Sequence, residues 1–133
     1  MSRSKAREEA MQLIFQMDAQ KDFTPELKEK FFQCFQVNDS NQGYINIVHN
    51  ALCDHKDKID ELINKYSSWK VVHMSKIDLA ILRLAIVEMI YVFDVPAQVA
   101  INEAVNLAKE YGDDHSPAFI NGVLASVFKE IEK

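Results

Sequence analysis

The chain has 133 residues and a formal net charge of −5, from 15 lysines and arginines against 20 aspartates and glutamates. Its length suits one domain, and 48% hydrophobic residues with only three glycines and three prolines exclude a disordered, collagen-like or proline-rich chain. An acidic pI of about 5.3 gives no overall attraction to phosphate, so binding to nucleic acid requires a local basic patch.

Apolar residues recur at helical spacing between residues 4 and 19, which predicts an amphipathic first helix. Its first turns carry three cations, Arg3, Lys5 and Arg7. Cations at a helix start oppose the helix dipole, and flexible cations at a chain end can reach phosphates. These residues are therefore candidate nucleic-acid contacts, with a solvated N-terminus as the alternative. The segment lacks the apolar core of a secretory signal, which predicts a cytoplasmic protein.

Helical signals continue through the middle of the chain. Thr24-Pro25 pairs an N-cap residue with proline at the first helical position, so a second helix is expected from there. Residues 38–43 have turn chemistry and no apolar side chain, which predicts a loop. Periodicity resumes over residues 44–66 and indicates two helices that meet near His55, with a single bent helix as the alternative.

The most apolar helix begins at residues 75–78, which resemble a capping box. Its charged residues Arg83 and Glu88 fall on different sides, so the helix has no continuous polar face. It is therefore predicted to lie at the centre of the molecule. A further helix is expected from Pro96 to Gly112, since proline favours helix starts and glycine favours helix ends.

The last helix is predicted to begin at Ser116-Pro117, which repeats the cap-then-proline pattern. His115 beside it is either an exposed loop residue or a donor to a phosphate or base. Phe119 either packs in the core on the same stripe as Val123 or stacks on an unpaired base. Gly122 inside this helix costs about 1 kcal/mol relative to alanine unless another backbone packs closely.

Catalytic signatures are missing from the sequence. It contains no Gly-x-Ser-x-Gly elbow, and three dispersed glycines cannot build a phosphate-binding loop, so we predict no enzyme and no cofactor. His49 and Cys53 lie four residues apart and could hold zinc if Cys34 or another histidine converged on them. Core and surface roles are more common for such residues, so no metal site is predicted.

Several segments resemble one known family. Residues 4–18 (SKAREEAMQLIFQMD) are similar to the N-terminal signature of the transcription antitermination factor NusB family. The C-terminal half of that family is resembled, in the same order, by residues 77–85 (IDLAILRLA), 95–96 (VP), 100–109 (AINEAVNLAK) and 119–124 (FINGVL). The middle of the chain, over residues 20–70, matches only in its pattern.

The resemblance implies an all-α fold, a compact bundle of about seven helices in two packed helical subdomains of a single domain, residues 1–70 and 71–133. It implies a non-enzymatic RNA-binding factor that pairs with NusE, a ribosomal small-subunit protein. The pair would recognise single-stranded boxA RNA in ribosomal-operon transcripts and act on RNA polymerase with NusA and NusG. Both a monomer and a homodimer agree with the resemblance.

The resemblance also implies site residues. The expected RNA contacts are Arg3, Lys5, Arg7, His115, Ser116, Phe119 and Asn121, and the expected NusE-facing residues are Phe15 and Glu88. Family members often begin with closely spaced basic residues, whereas serines alternate with them here, so we expect weak RNA binding without NusE. The competing hypothesis is a helical protein–protein interaction module without direct RNA binding, because large apolar side chains occur near several helix ends.

Overall fold

The structure is a computed structural model that describes residues 3–132. Over this range the chain forms helices and no strand, which confirms the all-α prediction. The helices are α1 (Arg3–Gln20), α2 (Pro25–Cys34), α3 (Asp39–Tyr66), α4 (Lys76–Tyr91), α5 (Ala97–Tyr111) and α6 (Ser116–Ile131). These are six helices where about seven were expected, because the two helical segments predicted over residues 44–66 are counted together as α3.

Helix α4 occupies the centre of the molecule, as predicted. It packs against α1, α3, α5 and α6, and every residue from Leu79 to Glu88 is buried. Removal of this apolar surface from water is the dominant stabilising term in such a bundle. Arg83 and Glu88 share this interior, so each of them requires a partner of opposite charge. No helix within residues 3–132 combines the length and the apolar character that membrane crossing requires.

Helix α3 bends at the predicted position. His55 leaves helical geometry there, with φ of −128° and ψ of 18°, while the helix continues on both sides. The imidazole ring stacks on the ring of Tyr91, with centroids 4.1 Å apart and planes 7° apart. Two helical segments therefore meet at His55, as predicted, and the kink between them packs against the end of α4.

The prediction of a loop at residues 38–43 is wrong, because α3 already begins at Asp39. Asn38 is the N-cap, and its side-chain oxygen accepts a hydrogen bond from the Asn41 backbone N–H at 2.8 Å. The buried Asn41 amide donates to Glu9 of α1 at 2.9 Å. Residues that favour turns also favour helix caps, and here they cap a helix and connect it to α1.

The start of α6 also differs from the prediction, because Ser116 is not its N-cap. The Asp113 carboxylate accepts hydrogen bonds from the backbone N–H groups of His115 at 2.8 Å and Ser116 at 3.2 Å. The Ser116 hydroxyl in turn accepts one from the Asp113 N–H at 3.1 Å. This reciprocal arrangement resembles a capping box, although the N-cap residue is His115, whose own side chain makes no capping hydrogen bond.

Candidate nucleic-acid interface

The basic start of α1 contains one buried cation, Arg7, which is 5% exposed. Its Nε–H lies 2.9 Å from each carboxylate oxygen of Glu88, and its Nη1 lies 3.7 Å from Glu103 Oε1. The guanidinium therefore connects α1 to α4 and α5. The sequence predicts a flexible cation at a chain end, whereas in the fold Arg7 is buried and paired with carboxylates.

Glu88 is equally enclosed, at 1% exposure. Its partner is Arg7, and Arg83 instead pairs with Asp60 through two contacts of 2.9 Å and with Asp18 at 3.3 Å. A carboxylate this deeply buried offers no surface to a protein partner. If Glu88 contributes to the expected NusE-facing surface, it does so indirectly, by holding α1 in place through Arg7.

Arg3 and Lys5 are the exposed cations of α1. Arg3 lies 3.5 Å from the Asp94 carboxylate, and its guanidinium stands 4.6 Å from the centroid of the Tyr44 ring. Lys5 pairs with Glu8 at 3.4 Å. Exposed ion pairs of this kind are worth about 0–1 kcal/mol, so a phosphate can displace them at little cost.

An acidic groove borders Lys5. It lies between α1 and α5, measures about 330 Å³, and is lined by Ser4, Lys5, Glu8, Glu103, Asn106, Leu107 and Glu110. Three carboxylates in one groove reduce the positive potential that the first turns of α1 present to a polyanion. The structure thus gives a physical reason to expect weak RNA binding by the chain alone.

A second region, the aromatic pocket, lies between the α3–α4 connection and the start of α6. It has a volume of about 410 Å³ and is lined by Trp69, His73, Met74, Ser75, Asp78, Asp113, His115 and Phe119. Two predicted RNA contacts, His115 and Phe119, therefore meet here. Ser116 lies buried beneath the pocket on Asp113, and Asn121 is exposed on α6 outside the lining.

Trp69 is the most accessible aromatic group of the aromatic pocket, at 60% exposure. The Ser67 hydroxyl fixes the backbone of Trp69: it accepts a hydrogen bond from the Trp69 N–H at 2.9 Å and donates one to the Trp69 carbonyl at 2.6 Å. Trp69 is one of the large apolar residues near helix ends, and the sequence does not indicate which residues surround it. Its position between two helices is the sequence signal for an exposed ring, because an aromatic residue outside a helix has no buried helix face to lie on.

Two carboxylates also face the aromatic pocket, and sequence reasoning missed both. Burial raises the pKa of Asp78, a hydrogen bond with Ser116 opposes that rise, and the charge of Asp113 adds to it. Asp78 Oδ1 is buried and has no hydrogen-bond partner among residues 3–132. Asp78 was interpreted only as the acid of a capping box, and nothing local in the sequence indicates that residues 78 and 113 meet.

The remaining candidates lie elsewhere. Phe15 is half-buried on α1 against the core, so part of its ring stays accessible. His49 and Cys53 do meet, with Cys53 Sγ 3.8 Å from His49 Nε2. Within the part of the chain that the structure describes, no three His, Cys, Asp or Glu side chains converge as metal ligands.

The fold and these surfaces define an all-α binding protein with a cation-bearing helix end and an aromatic pocket. The sequence profile of the NusB family matches residues 4–129. The chain belongs to the NusB family of transcription antitermination proteins, which are non-enzymatic factors.

Individual relatives agree with this assignment. Transcription antitermination protein NusB of Acetivibrio thermocellus is 45% identical over 130 residues, which cover 97% of this chain and 90% of that protein. Transcription antitermination protein NusB of Bacillus subtilis (strain 168) is 39% identical over 134 residues, which cover 100% of this chain and 99% of that protein.

Solved structures share the fold. T. maritima NusB superposes with a TM-score of 0.87 at 27% identity, covering 98% of this chain and 92% of that one. A structure of antitermination factors NusB and NusE in complex with dsRNA gives a TM-score of 0.86 at 23% identity, covering 98% of this chain and 99% of that one.

Proposed function

We propose that this chain is a cytoplasmic RNA-binding antitermination factor that pairs with NusE and recognises boxA-type single-stranded RNA in ribosomal-operon transcripts. It acts there on RNA polymerase together with NusA and NusG. The observation that carries the proposal is the aromatic pocket, which brings His115 and Phe119 together with the exposed Trp69. Family membership and a structural neighbour described with NusE and dsRNA support it.

The aromatic pocket suits unpaired bases. Aromatic side chains recognise single-stranded RNA by stacking, which is worth about 1–3 kcal/mol per base. Exposed Trp69 and half-buried Phe119 both offer ring surface to such a base. Arg3 and Lys5 provide the phosphate contacts at a second place on the surface, and their displaceable ion pairs allow this.

NusE provides what the isolated chain lacks. The acidic groove beside α1 and the net charge of −5 weaken attraction to RNA, so a partner that adds cations would extend the RNA surface. Phe15 is the proposed direct NusE contact because its ring is partly accessible. Glu88 acts by holding α1 in place through Arg7.

The proposal is tested by titrating a boxA-containing single-stranded RNA, its scrambled version and a duplex version, each with and without NusE. We expect a preference for the single-stranded boxA sequence and tighter binding when NusE is present. Absence of binding under both conditions, or equal binding of the scrambled RNA, would sink the proposal.

The second candidate function is a protein–protein module without RNA contact. Exposed apolar side chains favour it: Phe93 is 99% exposed and Ile47 is 53% exposed. This alternative predicts that NusE binds at full affinity while RNA adds nothing to the stability of the complex. Calorimetric titration of NusE in the presence and absence of RNA separates the two functions.

A further inference from the structure

The exposed cation Arg3 is not a freely moving side chain, because its guanidinium lies over an aromatic ring of α3. We propose that this ring, Tyr44, is a positioning residue for RNA binding, which holds Arg3 in the orientation that meets a phosphate of the RNA backbone. Tyr44 is only 6% exposed, so it acts through Arg3 and not by its own contact with RNA. The inference rests on the proposed function, because Arg3 is one of the RNA contacts proposed there.

The ring of Tyr44 has a fixed position where α1 and α3 meet. Tyr44 belongs to the buried core, and closely packed core side chains have little freedom to move. One turn earlier in α3, the Asn41 amide donates a hydrogen bond to Glu9 of α1 at 2.9 Å. A side chain that lies over this ring is therefore held at a defined place relative to the start of α1.

Arg3 contacts the ring in a way that leaves its hydrogen-bond donors available. The Arg3 Cζ atom lies 4.6 Å from the centroid of the Tyr44 ring. That distance is within the range of about 6 Å over which a guanidinium is attracted to an aromatic face. A guanidinium carries its five N–H donors in one plane, so contact over a ring does not consume them. Arg3 can therefore bind an anion while it stays on Tyr44.

Asp94 shows where such an anion binds. Its Oδ2 atom lies 3.5 Å from Arg3 Nη2 while the guanidinium lies over Tyr44. The Asp94 side chain is 72% exposed, so this ion pair is weak and a phosphate can displace it. Arg3, Tyr44 and Asp94 all line a groove of about 420 Å³, which gives a phosphate space beside the guanidinium. The ring and an anion thus bind Arg3 at the same time.

The fixed orientation of Arg3 favours RNA binding because less ordering remains to be done. A mobile arginine side chain loses rotamer freedom when it binds a phosphate, and one that is already held loses less. Without the ring, a smaller fraction of the molecules would hold Arg3 in the competent orientation, and the apparent affinity would fall with that fraction. A cation–π contact at an exposed site changes such a fraction roughly two- to fivefold.

A double-mutant cycle tests this role, with boxA-containing single-stranded RNA titrated against the full chain in the presence of NusE. We expect Tyr44→Leu, which removes the ring, to weaken RNA binding roughly two- to fivefold. The same substitution should have no further effect in an Arg3→Ala background and its full effect in a Lys5→Ala background. Tyr44→Phe keeps the ring and should bind RNA like the wild type.

Two further measurements accompany the cycle. Thermal melting checks that each variant folds. NMR spectroscopy of the wild-type chain needs no substitution at Tyr44, because an aromatic ring shifts the resonances of protons held over its face upfield. The side-chain protons of Arg3 should show this shift in the free chain and keep it when RNA is bound. Loss of the shift on RNA binding would overturn the inference even if Tyr44→Leu fails to fold.

The outcomes of the cycle distinguish this inference from the proposed function. An equal loss of affinity in the wild-type and Arg3→Ala backgrounds would show that Tyr44 has only a structural role. Unchanged affinity in Arg3→Ala or in Tyr44→Leu, or an equal loss in Tyr44→Phe, would also overturn the positioning role. Each of these results leaves the proposed RNA-binding function standing. Absence of binding to boxA RNA by the wild-type chain, with and without NusE, overturns both.

Discussion

At the scale of single residues, burial decides which charges of this chain can act outside it. Arg3, Lys5 and Arg7 look equivalent in the sequence, yet Arg7 is enclosed with Glu88 while the other two are exposed. The distinction depends on a contact between residues 81 positions apart. Local sequence contains no information on such a contact, so the three cations cannot be told apart from the sequence alone.

Replacement of Arg7 tests this distinction. Arg7→Ala leaves Glu88 charged and unpaired in the interior, so we expect the free energy of unfolding to fall by about 3–5 kcal/mol. The matched variant Lys5→Ala, at an exposed pair, should change it by no more than about 0.5 kcal/mol. Urea unfolding measures both values. Equal effects of the two substitutions would contradict the buried role of Arg7.

Asp18 makes a second residue-scale prediction, on pH. Burial raises the pKa of Asp18, but the hydrogen bond from Lys76 and the charge of Arg83 outweigh it and hold the pKa below its ordinary value of 3.8. Its charge therefore contributes stability above pH 3.8, and that contribution is lost as the pH falls through the folded-state pKa. Asp18→Asn should be less stable than wild type at pH 6, and the difference should shrink below pH 4, as thermal melting can show.

At the scale of elements, helix starts were harder to predict than helix interiors. Apolar periodicity located every helix, because the core side of each helix is marked in the local sequence. Residues 38–43 and Ser116 were misinterpreted because asparagine, aspartate and serine suit turns and caps equally well. The aromatic pocket escaped prediction for a different reason: its residues come from two segments, around residues 69–78 and 113–119, that only the fold brings together.

The glycine that follows α5 and the glycine within α6 provide an element-scale test. A Cβ added at Gly112 would lie 2.4 Å from Ser116 Oγ, so Gly112→Ala should disturb the cap of α6 and destabilise the protein. A Cβ at Gly122 meets no atom within 4 Å, so Gly122→Ala should stabilise α6 by about 1 kcal/mol. Opposite shifts of the melting temperature are expected. Stabilisation by both substitutions would show that Ser116 can move aside.

At the scale of the whole molecule, net charge and local charge have to be considered separately. The chain carries −5, and the acidic groove brings three of its carboxylates beside the basic end of α1. Association with RNA is then governed by a few accessible cations and not by the overall field. This distribution explains why composition alone argued against a nucleic-acid partner.

The salt dependence of RNA binding measures the number of these cations. Each lost phosphate contact lowers the slope of log K against log salt by about 0.7 for a single strand. Arg3→Ala combined with Lys5→Ala should therefore reduce the slope by about 1.4 and weaken binding to all sequences alike. Lys30 is an exposed cation on α2, and the control variant Lys30→Ala should change neither the salt slope nor the affinity for RNA. An unchanged slope in the double variant would show that these cations do not contact the RNA.

The position of α4 also has a consequence for the dynamics of the molecule. Four helices share α4 as their common packing surface, whereas α2 packs mainly against α1. None of those four can detach without exposing α4, so their amide protons should exchange with deuterium only through global unfolding. The amides of α2 should exchange faster, through local opening that leaves the bundle intact. Mass-spectrometric exchange measurements would show these two classes of protection, and uniform protection would indicate that α2 unfolds together with the bundle.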